Sequence, residues 1–446
     1  MTRLFGTDGV RGVANTELTA ELAYKMGRAA TFLFGEEHVN PVVIIGRDTR
    51  ISGQMLEAAL AAGICSAGGQ AILMGVVPTP AVAYLTRKLN AQAGVVISAS
   101  HNPYPDNGIK FFAGTGYKLP DAVEDRLESL VQAETDTMPR PTGNAIGTIA
   151  YRHDLIQDYM DFIAGTVPVD FTGLKVVVDC SHGAAYEVAP LLLKRLGADV
   201  VVLNNQPTGI NINDHCGSTH LEGLQKAVLE HKADLGIAHD GDADRCLAID
   251  EQGQVVDGDQ IMVMCALNLM KAGQLKDNTL VATVMSNIGL HKAIKQAGGK
   301  VLVTPVGDRY VLEAMVEKGL VLGGEQSGHI IFGDYNTTGD GVLTALQLIS
   351  AVKSSGKKLS ELGKLMTKYP QLLVNVRVKS QTGWQDNTAI SAAVAAGETE
   401  LGDSGRILVR SSGTEPLIRV MAEGPCQTEL QRIVHGIAEI VKSELA

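Results

Sequence analysis

The sequence is poor in cysteine, with six among 446 residues, and the six show no paired spacing. That pattern excludes a disulfide framework and the common Cys-rich metal sites. We therefore expect each cysteine to be a small, reduced core residue, and we expect a cytoplasmic protein.

The sequence also lacks an excess of basic charge and a long apolar run. Lys and Arg number 38 against 49 Asp and Glu, so the net charge of −11 argues against a nucleic-acid partner. The most apolar stretch, 58–77, is interrupted by Gly68, Gly69 and Gln70, which indicates helix, turn and strand instead of a membrane span. The opening MTRLFGTDGVRG has no apolar core, and no signal peptide is expected. Any phosphate-binding site in so acidic a chain needs a local cluster of basic residues.

Three segments of the chain share one order of elements. Apolar, β-branched runs alternate with helical stretches, starting at PVVIIGRD, LKVVVDCS and TLVATVMSN. Such runs are typical of mostly parallel strands buried on both faces. The last part of the chain differs, and its strands LLVNVRVK and GRILVRSS favour antiparallel pairing. With hydrophobic residues at 45 % and charged residues at 20 %, as in a soluble globular protein, the length predicts several domains. We place them at 1–150, 151–255, 256–368 and 369–446.

Each of the three repeated segments closes on a strand that runs into a polar loop. The three loops read SASHNP, DGDADR and GEQSGH. In parallel α/β sheets, ligands gather at the carboxyl ends of strands. We therefore expect the three loops to face one cleft.

The DGDADR loop carries alternate carboxylates, Asp240, Asp242 and Asp244. In an extended chain these three side chains point to one side. Two carboxylates about 5 Å apart repel each other by roughly 3 kcal/mol at an effective dielectric constant near 20. All-oxygen ligands favour Mg²⁺, Mn²⁺ or Ca²⁺. An EF-hand is the alternative, but it needs Gly where Arg245 stands, and helices where the flanks resemble strands. A solvated acidic turn is disfavoured by the apolar flanks.

The SASHNP loop places Ser98 and Ser100 on the same side of an extended chain. A Ser-His hydrolase is disfavoured, because the G-x-S-x-G elbow is missing and adjacent side chains on a strand diverge. A serine can instead carry a phosphoryl group held by a metal ion and cations. The Asn107-Gly108 turn then returns the chain and brings Lys110 to the same point. An ordinary capped loop remains the alternative.

Two further loops offer groups that suit a sugar phosphate. Glu325, Ser327 and His329 alternate in GEQSGH and can hydrogen-bond sugar hydroxyls, although an exposed polar turn would look the same. The sequence also predicts an anion site around a turn near the C-terminus. It would consist of hydroxyls, glycine N–H groups and guanidiniums, and a surface hairpin is the alternative. Its residues are Arg410, Ser411, Ser412, Gly413, Thr414 and Arg419.

Together the four loops resemble those of the α-D-phosphohexomutase family, in the correct order along the whole chain. SASHNP resembles the family's phosphoserine loop, DGDADR its metal loop, GEQSGH its sugar loop and SSGTEP its phosphate loop. FGTDGVRG, NGIKFF and GGEQSGHI resemble the bacterial branch that acts on glucosamine phosphates, where Gln326 replaces the Met typical of glucose and mannose phosphate enzymes. Ala243 and His182 depart from the usual Gly and Asn, without removing a functional side chain.

The resemblance implies three related α/β domains with mixed, mostly parallel sheets, and a smaller C-terminal α+β domain, around a central cleft. It implies interconversion of glucosamine 6-phosphate and glucosamine 1-phosphate through a 1,6-bisphosphate, which also serves as primer, and it implies a role in UDP-N-acetylglucosamine synthesis. Ser100 would be the phosphoserine and, with the three aspartates, would ligate one Mg²⁺ per chain.

The remaining site residues follow from the same resemblance. Glu325, Ser327 and His329 would bind the sugar, and residues 410–414 with Arg419 the phosphate that is not transferred. The reacting phosphoryl group would be flanked by Arg11, Lys110 and Arg245. The proton acceptor stays open among His101, His329 and Lys110.

Three alternatives to this function stay open. They are a glucose or mannose phosphate mutase, a metal-dependent phosphatase that uses Ser100, and a non-catalytic sugar-phosphate or Ca²⁺ sensor. The expected partner is a small sugar phosphate, with no nucleic acid and no membrane. Formation of a homo-oligomer is left open.

Overall fold

The computed structural model describes residues 4–6, 8–36, 38, 40–412 and 416–445. The chain divides into two compact units. The first comprises the residues up to Val284 together with Val301–Lys364, and the second comprises Met285–Lys300 together with the residues from Leu365 onward.

The first unit begins with a six-stranded sheet. Its elements are β1 (Val10–Val13), α1 (Ala20–Gly35), β2 (Val42–Arg47), α2 (Ser52–Ser66), β3 (Gln70–Val76), α3 (Thr79–Lys88), β4 (Ala93–Ile97), β5 (Asp106–Ala113), α4 (Asp121–Gln132) and β6 (Ile149–Tyr151). The strand order is β1-β5-β4-β2-β3-β6. The pairs β4-β2, β2-β3 and β3-β6 are parallel, and the two pairs made by β5 are antiparallel. The sheet is therefore mixed, with a parallel centre.

Helices α1 and α2 pack closely against each other because glycines lie where the two helices cross. A Cβ on Gly63 would meet Tyr24 O at 2.1 Å, and one on Gly27 would meet Leu60 O at 2.3 Å. Buried residues of both helices join those of β2, β4 and β5 in one apolar core. That packing holds β4 in the centre of the layer, so the loop that follows it starts from a rigid support.

The second sheet of this unit has five strands in the order β11-β10-β9-β7-β8. Its elements are α5 (Ile156–Ala164), β7 (Lys175–Asp179), α6 (Val188–Arg195), β8 (Asp199–Leu203), α7 (Glu222–His231), β9 (Leu235–His239), β10 (Cys246–Asp250) and β11 (Val255–Val256). Strand β7 pairs in parallel with β8 and β9, while β10 runs antiparallel to β9. The short connection from β9 to β10 is the acidic loop.

The third sheet has four strands in the order β13-β12-β14-β15. This part contains α8 (Gly258–Lys271), β12 (Thr279–Thr283), α9 (Ile288–Gln296), β13 (Lys300–Thr304), α10 (Asp308–Lys318), β14 (Leu322–Gly324), β15 (Ile330–Phe332), α11 (Gly341–Ser355) and α12 (Leu359–Gly363). Strands β12 and β14 are parallel, and β14 and β15 are antiparallel. The loop between β14 and β15 contains Glu325 and Ser327.

The second unit combines α9 with the C-terminal elements. These are β16 (Gln371–Arg377), α13 (Thr388–Leu401), β17 (Arg406–Ser411), β18 (Leu417–Glu423) and α14 (Gln427–Leu445). Strand β18 lies between β16 and β17 and runs antiparallel to both. The predicted fold class, three α/β sheets followed by a smaller antiparallel α+β part, is confirmed.

Two expectations about the whole chain can be compared with the described residues. No helix among them combines the length and the hydropathy that a membrane span requires. All six cysteines are free thiols, and Cys180, Cys216, Cys246 and Cys265 are buried, as expected of core residues. Cys65 is only half-buried and Cys426 is exposed, so the expectation of a core position is wrong for Cys426.

Candidate active site

Ser100 lies in the turn after β4, with its hydroxyl directed at the acidic loop. Its Oγ donates to Asp240 Oδ2 at 2.6 Å, and the residue is 2 % exposed. Its backbone is left-handed, with φ of 52°, a conformation that L-residues avoid. Ser98 is held differently, because its Oγ donates to Asp48 Oδ2 at 2.5 Å. The structure therefore distinguishes the two serines, which the sequence pattern alone does not.

The three aspartates converge as the alternation predicted. One carboxylate oxygen from each of Asp240, Asp242 and Asp244 lies within 4.8 Å of the others, and all three residues are buried. Burial raises the pKa of Asp240 well above its ordinary value, and the charges of Asp244 and Asp242 add to the effect. Oδ1 of Asp242 is buried and makes no hydrogen bond within the described part of the chain. Carboxylate oxygens so close together, with Oδ1 of both Asp242 and Asp244 lacking a hydrogen bond among the described residues, fit a bound divalent cation.

Ala243 shows what this loop requires of its backbone. It adopts φ of 58° inside the turn, and its N–H donates to Asp240 O at 3.1 Å. A left-handed residue favours glycine. The departure from the usual DGDGDR pattern is therefore a small strain, and it leaves the ligand side chains in place.

Lys110 projects from β5 into the acidic loop. Its Nζ lies 3.1 Å from Asp242 Oδ2 and 2.8 Å from Asp8 Oδ2. Burial alone would lower the pKa of Lys110, but the charges of Asp242 and Asp8 outweigh it and raise the pKa above its usual range. Lys110 is thus a fixed positive charge in this arrangement, and it is not poised to accept a proton.

The other predicted basic residues lie around the same point. Arg11 of β1 lies 2.6 Å from Asp8, and Arg245 lies 3.8 Å from Asp244. His101 Nδ1 lies 3.5 Å from Ser100 Oγ. Burial, with the charges of Arg245 and Arg11, lowers the pKa of His101 to about 4, so the ring is neutral at neutral pH. The expectation that Ser100 and His101 diverge is wrong, because both lie in a turn and not on a strand.

The GEQSGH loop contributes one wall of a cavity of about 460 Å³. Glu325 and His329 line it together with Ser100 and Arg11. The Oγ of Ser327 is buried and has no hydrogen-bond partner among the described residues. A cavity of this size, lined mostly by charged and polar side chains, suits a small, charged ligand.

The proton on His329 can be placed from its contacts. The ring is 4 % exposed; Nε2 accepts from Gly339 N–H at 3.1 Å, and Nδ1 faces Asp244 Oδ2 at 3.3 Å. The Gly339 contact places the proton on Nδ1. His329 therefore orients an aspartate of the acidic loop in addition to lining the cavity.

Four residues that the motifs did not single out take part in this site. Asp8 and Asp308 line the cavity, and Lys118 connects them through contacts of 2.7 and 2.5 Å. Thr79, at the start of α3, donates to Asp242 Oδ2 at 2.7 Å. Asp8 belongs to the FGTDGVRG segment that carried the resemblance, whereas Lys118, Asp308 and Thr79 stand in segments without a local motif.

The predicted anion site lies in the second unit. Arg410 of β17 is paired across the strands with Arg419 of β18, and the Nε of each is buried without a hydrogen-bond partner among the described residues. Arg419 Nη2 donates to Ser412 Oγ at 3.4 Å, and Trp384 Nε1 donates to Ser411 Oγ at 3.3 Å. Like charges facing each other across two strands destabilise the sheet unless an anion joins them. Gly413 and Thr414 lie outside the described residues.

Four family models match consecutive parts of the chain. Their descriptions are phosphoglucomutase/phosphomannomutase alpha/beta/alpha domain I for residues 2–138, domain II for 157–253, domain III for 257–369, and the C-terminal domain for 373–440. Among curated relatives, a phosphoglucosamine mutase of Symbiobacterium thermophilum is 58 % identical over the whole of both chains. One of Desulforamulus reducens is 57 % identical over 99 % of each.

Solved structures share the fold at lower identity. A phosphoglucomutase/phosphomannomutase family protein of Burkholderia thailandensis matches with a TM-score of 0.83 at 25 % identity, covering 99 % of this chain and 98 % of that one. The N-acetylphosphoglucosamine mutase of Aspergillus fumigatus, in complex with GlcNAc-6P and magnesium, matches with a TM-score of 0.72 at 19 % identity, covering 99 % and 95 %. The latter likeness concerns the fold alone.

Proposed function

This chain belongs to the phosphoglucomutase/phosphomannomutase family, and from that premise we propose that it interconverts glucosamine 6-phosphate and glucosamine 1-phosphate. The activity would be that of the near-full-length relatives, which carry the name phosphoglucosamine mutase. Its product would feed UDP-N-acetylglucosamine synthesis in the cytoplasm.

One observation carries the proposal. The Ser100 hydroxyl lies 2.6 Å from Asp240, at the wall of a cavity that also offers Arg11 and Glu325. A serine hydroxyl among fixed charges and carboxylate metal ligands can carry a phosphoryl group, because phosphoryl transfer depends mostly on positioning and on neutralising charge.

In the proposed reaction, phosphoserine 100 gives its phosphoryl group to the free hydroxyl of the bound sugar phosphate. The bond from phosphorus to Ser100 Oγ breaks and a bond to the sugar oxygen forms. The proton of the sugar hydroxyl passes, with the help of His101, to the Ser100 Oγ that has lost the phosphoryl group. The resulting 1,6-bisphosphate turns around in the cavity and returns its other phosphoryl group to Ser100. A 1,6-bisphosphate added as primer would keep Ser100 phosphorylated.

The acidic loop would hold one Mg²⁺ per chain. Asp240, Asp242 and Asp244 would ligate it together with Ser100. When bound, Mg²⁺ would neutralise the negative charge that collects on the transferring phosphoryl group.

The remaining residues have roles that follow from their charge and place. Lys110, Arg11 and Arg245 would stabilise the same phosphoryl oxygens from fixed positions. His101, neutral and beside Ser100 Oγ, would assist proton transfer. The sugar hydroxyls would be bound by Glu325, Ser327 and His329. The phosphate that stays on the sugar would be bound by Arg410, Ser411, Ser412, Gly413, Thr414 and Arg419. We propose four domains, 1–150, 151–255, 256–368 and 369–446.

A coupled assay on glucosamine 6-phosphate, with a sugar 1,6-bisphosphate as primer, tests the proposal. Turnover should exceed that on glucose 6-phosphate and mannose 6-phosphate, and Ser100→Ala should lower it by at least about a thousandfold. Faster turnover of glucose or mannose phosphate would make the chain a mutase of another sugar. Net release of inorganic phosphate would indicate a phosphatase, and binding without turnover a sensor.

A further inference from the structure

A buried guanidinium lies beneath the loop that holds Ser100. Arg50 follows β2 and is 1 % exposed. Its Nη2 donates to the carbonyl oxygens of Ser100 at 2.8 Å and Asn102 at 2.9 Å, and its Nη1 donates to that of Pro103 at 2.8 Å. One side chain therefore fixes three carbonyl groups of the same turn.

The counter-charge of Arg50 also holds Ser100 from its other side. Asp48 Oδ2 accepts from Arg50 Nε at 2.9 Å and from Ser98 Oγ at 2.5 Å. The N–H of Ser100 in turn donates to Ser98 Oγ at 3.0 Å. Both the N–H and the C=O of Ser100 are thus tied to one buried ion pair.

A second support comes from the chain that follows β8. Asn213 Nδ2 donates to the carbonyl oxygens of Ser100 at 2.9 Å and Asn102 at 3.1 Å. Gly241 of the acidic loop packs so closely on this turn that a Cβ there would meet Ser100 O at 2.5 Å. The turn is therefore held between Arg50 on one side and Asn213 with the acidic loop on the other.

These contacts hold Ser100 in a conformation that the backbone by itself resists. Ser100 is left-handed, with φ of 52°, and a residue in that region persists only when its surroundings impose it. Rotating the peptide groups on either side of Ser100 would break its bonds to Ser98, Arg50 and Asn213 and swing its Oγ away from Asp240.

From this geometry we infer that Arg50, with Asp48 and Asn213, is a positioning residue that aims the Ser100 hydroxyl at the acidic loop. It acts through the backbone of the loop. Among the described residues its side chain bonds to Asp48 and to loop carbonyls, and it does not line the cavity. The inference rests on the proposed function, in which Ser100 carries the phosphoryl group. Lysine cannot replace Arg50, because an ammonium lacks the planar fork that reaches three carbonyls and a carboxylate together.

The same domain contains a matched control. Arg28 of α1 is 0 % exposed, lies 2.9 Å from Asp136, and donates to Ser66 O at 3.3 Å and Met138 O at 3.1 Å. It is a buried guanidinium that bonds a carboxylate and carbonyls, but none of its partners belongs to the site. Arg28→Lys therefore removes the same kind of interaction from the fold and leaves the candidate active site unchanged.

The experiment compares Arg50→Lys with Arg28→Lys in the full-length protein. We expect Arg50→Lys to lower kcat by about 100-fold while KM for glucosamine 6-phosphate changes by less than about twofold, since small displacements of a reacting group cost rate and not binding. Arg28→Lys should leave kcat within about twofold, whatever its effect on urea unfolding. The loss of the phosphoryl group from Ser100 to added sugar phosphate can be monitored by mass spectrometry of the intact protein. This transfer should be slower in Arg50→Lys than in Arg28→Lys.

A third variant keeps the inference testable if Arg50→Lys does not fold. Asn213→Gly removes two carbonyl contacts and keeps the positive φ of 58° at that position; it should lower kcat by about tenfold at unchanged KM. Equal kcat losses in Arg50→Lys and Arg28→Lys, or an Asn213→Gly variant with full kcat, would overturn the inference. Failure of the wild-type protein to turn over sugar phosphates would overturn the proposed function instead.

Discussion

Asp8 makes close contacts with three basic side chains in the candidate active site. Its carboxylate lies 2.8 Å from Lys110, 2.7 Å from Lys118 and 2.6 Å from Arg11, and it is 21 % exposed. Burial alone would raise the pKa of Asp8, but the charges of Lys110, Lys118 and Arg11 outweigh it and hold that pKa well below its ordinary value. Asp8 therefore neutralises a group of cations that would otherwise repel one another.

This lowered pKa gives Asp8 a predictable effect on acid stability. Because the folded-state pKa lies below the unfolded-state value of about 3.9, its contribution is fully present above that value and is lost as pH falls through the folded-state pKa. Asp8→Asn should lower the free energy of unfolding at pH 7 by about 2 kcal/mol. The difference from wild type should shrink between pH 5 and pH 3.

Urea unfolding at pH 7 and at pH 3.5 measures both effects. Asp199→Asn is the control, since Asp199 is 72 % exposed and lies 3.7 Å from Lys175, and it should change stability by less than about 0.5 kcal/mol at either pH. A deficit in Asp8→Asn that stays constant as the pH falls would contradict the assigned pKa.

At the scale of elements, the strand ends were predictable because the signals are local. The run before Ser100 becomes β4, the run before Asp240 becomes β9, and each ends where its polar loop begins. A continuous apolar run buried on both faces leaves a clear mark in sequence. The alternation of Asp240, Asp242 and Asp244 is equally local, so both the strand ends and the aspartate cluster could be found without coordinates.

Other parts of the site depend on contacts that are distant in sequence. Lys118 and Asp308 meet across 190 positions, and Arg50 meets Ser100 across 50. Helix α9 belongs to the second unit through two hydrogen bonds. Asn287 Nδ2 donates to Tyr369 O, and Ile288 N–H donates to Glu423 Oε2. Each of these residues stands in an ordinary local pattern, so only the folded chain identifies its partner.

The start of α11 shows how one buried carboxylate joins two helices. Asp340 Oδ1 accepts from Leu343 N–H at 2.9 Å, which caps α11, and from Tyr159 OH of α5 at 2.8 Å. Both Asp340 and Tyr159 are 0 % exposed. Tyr159→Phe should lower the free energy of unfolding by about 1–2 kcal/mol, because the buried carboxylate loses a donor.

Thermal and urea unfolding test this effect against Tyr151→Phe, a hydroxyl deletion at a residue that is 70 % exposed. The control should match wild type, and the activity per folded molecule should be unchanged in both variants. An equal effect of the two substitutions would show that the contact between α5 and Asp340 contributes nothing to stability.

At the scale of the whole molecule, an acidic chain concentrates three buried carboxylates in one loop. The net charge is −11, yet Lys110, Arg11 and Arg245 are all placed around these aspartates. Carboxylates removed from water repel strongly unless a cation or a proton joins them. Burial, with the charges of Asp244 and Asp242, raises the pKa of Asp240, as expected for carboxylates crowded together without a cation.

Asp240→Asn should therefore separate the stability of the metal-free protein from metal binding. Replacing one of three crowded carboxylates with a neutral amide should raise the free energy of unfolding in EDTA by about 1 kcal/mol, because the amide does not repel Asp242 and Asp244. In the wild-type protein, Mg²⁺ at 100 times its Kd should add about 2.7 kcal/mol, seen as a rise in Tm that EDTA reverses. In Asp240→Asn that rise should be mostly lost, since the site then has one charge fewer.

Asp334→Asn, a substitution at an exposed aspartate outside the cluster, should keep the full response. A Tm rise of the same size in Asp240→Asn and wild type would mean that Mg²⁺ binds somewhere other than this loop, and that the crowding of the three carboxylates serves a purpose other than holding a cation.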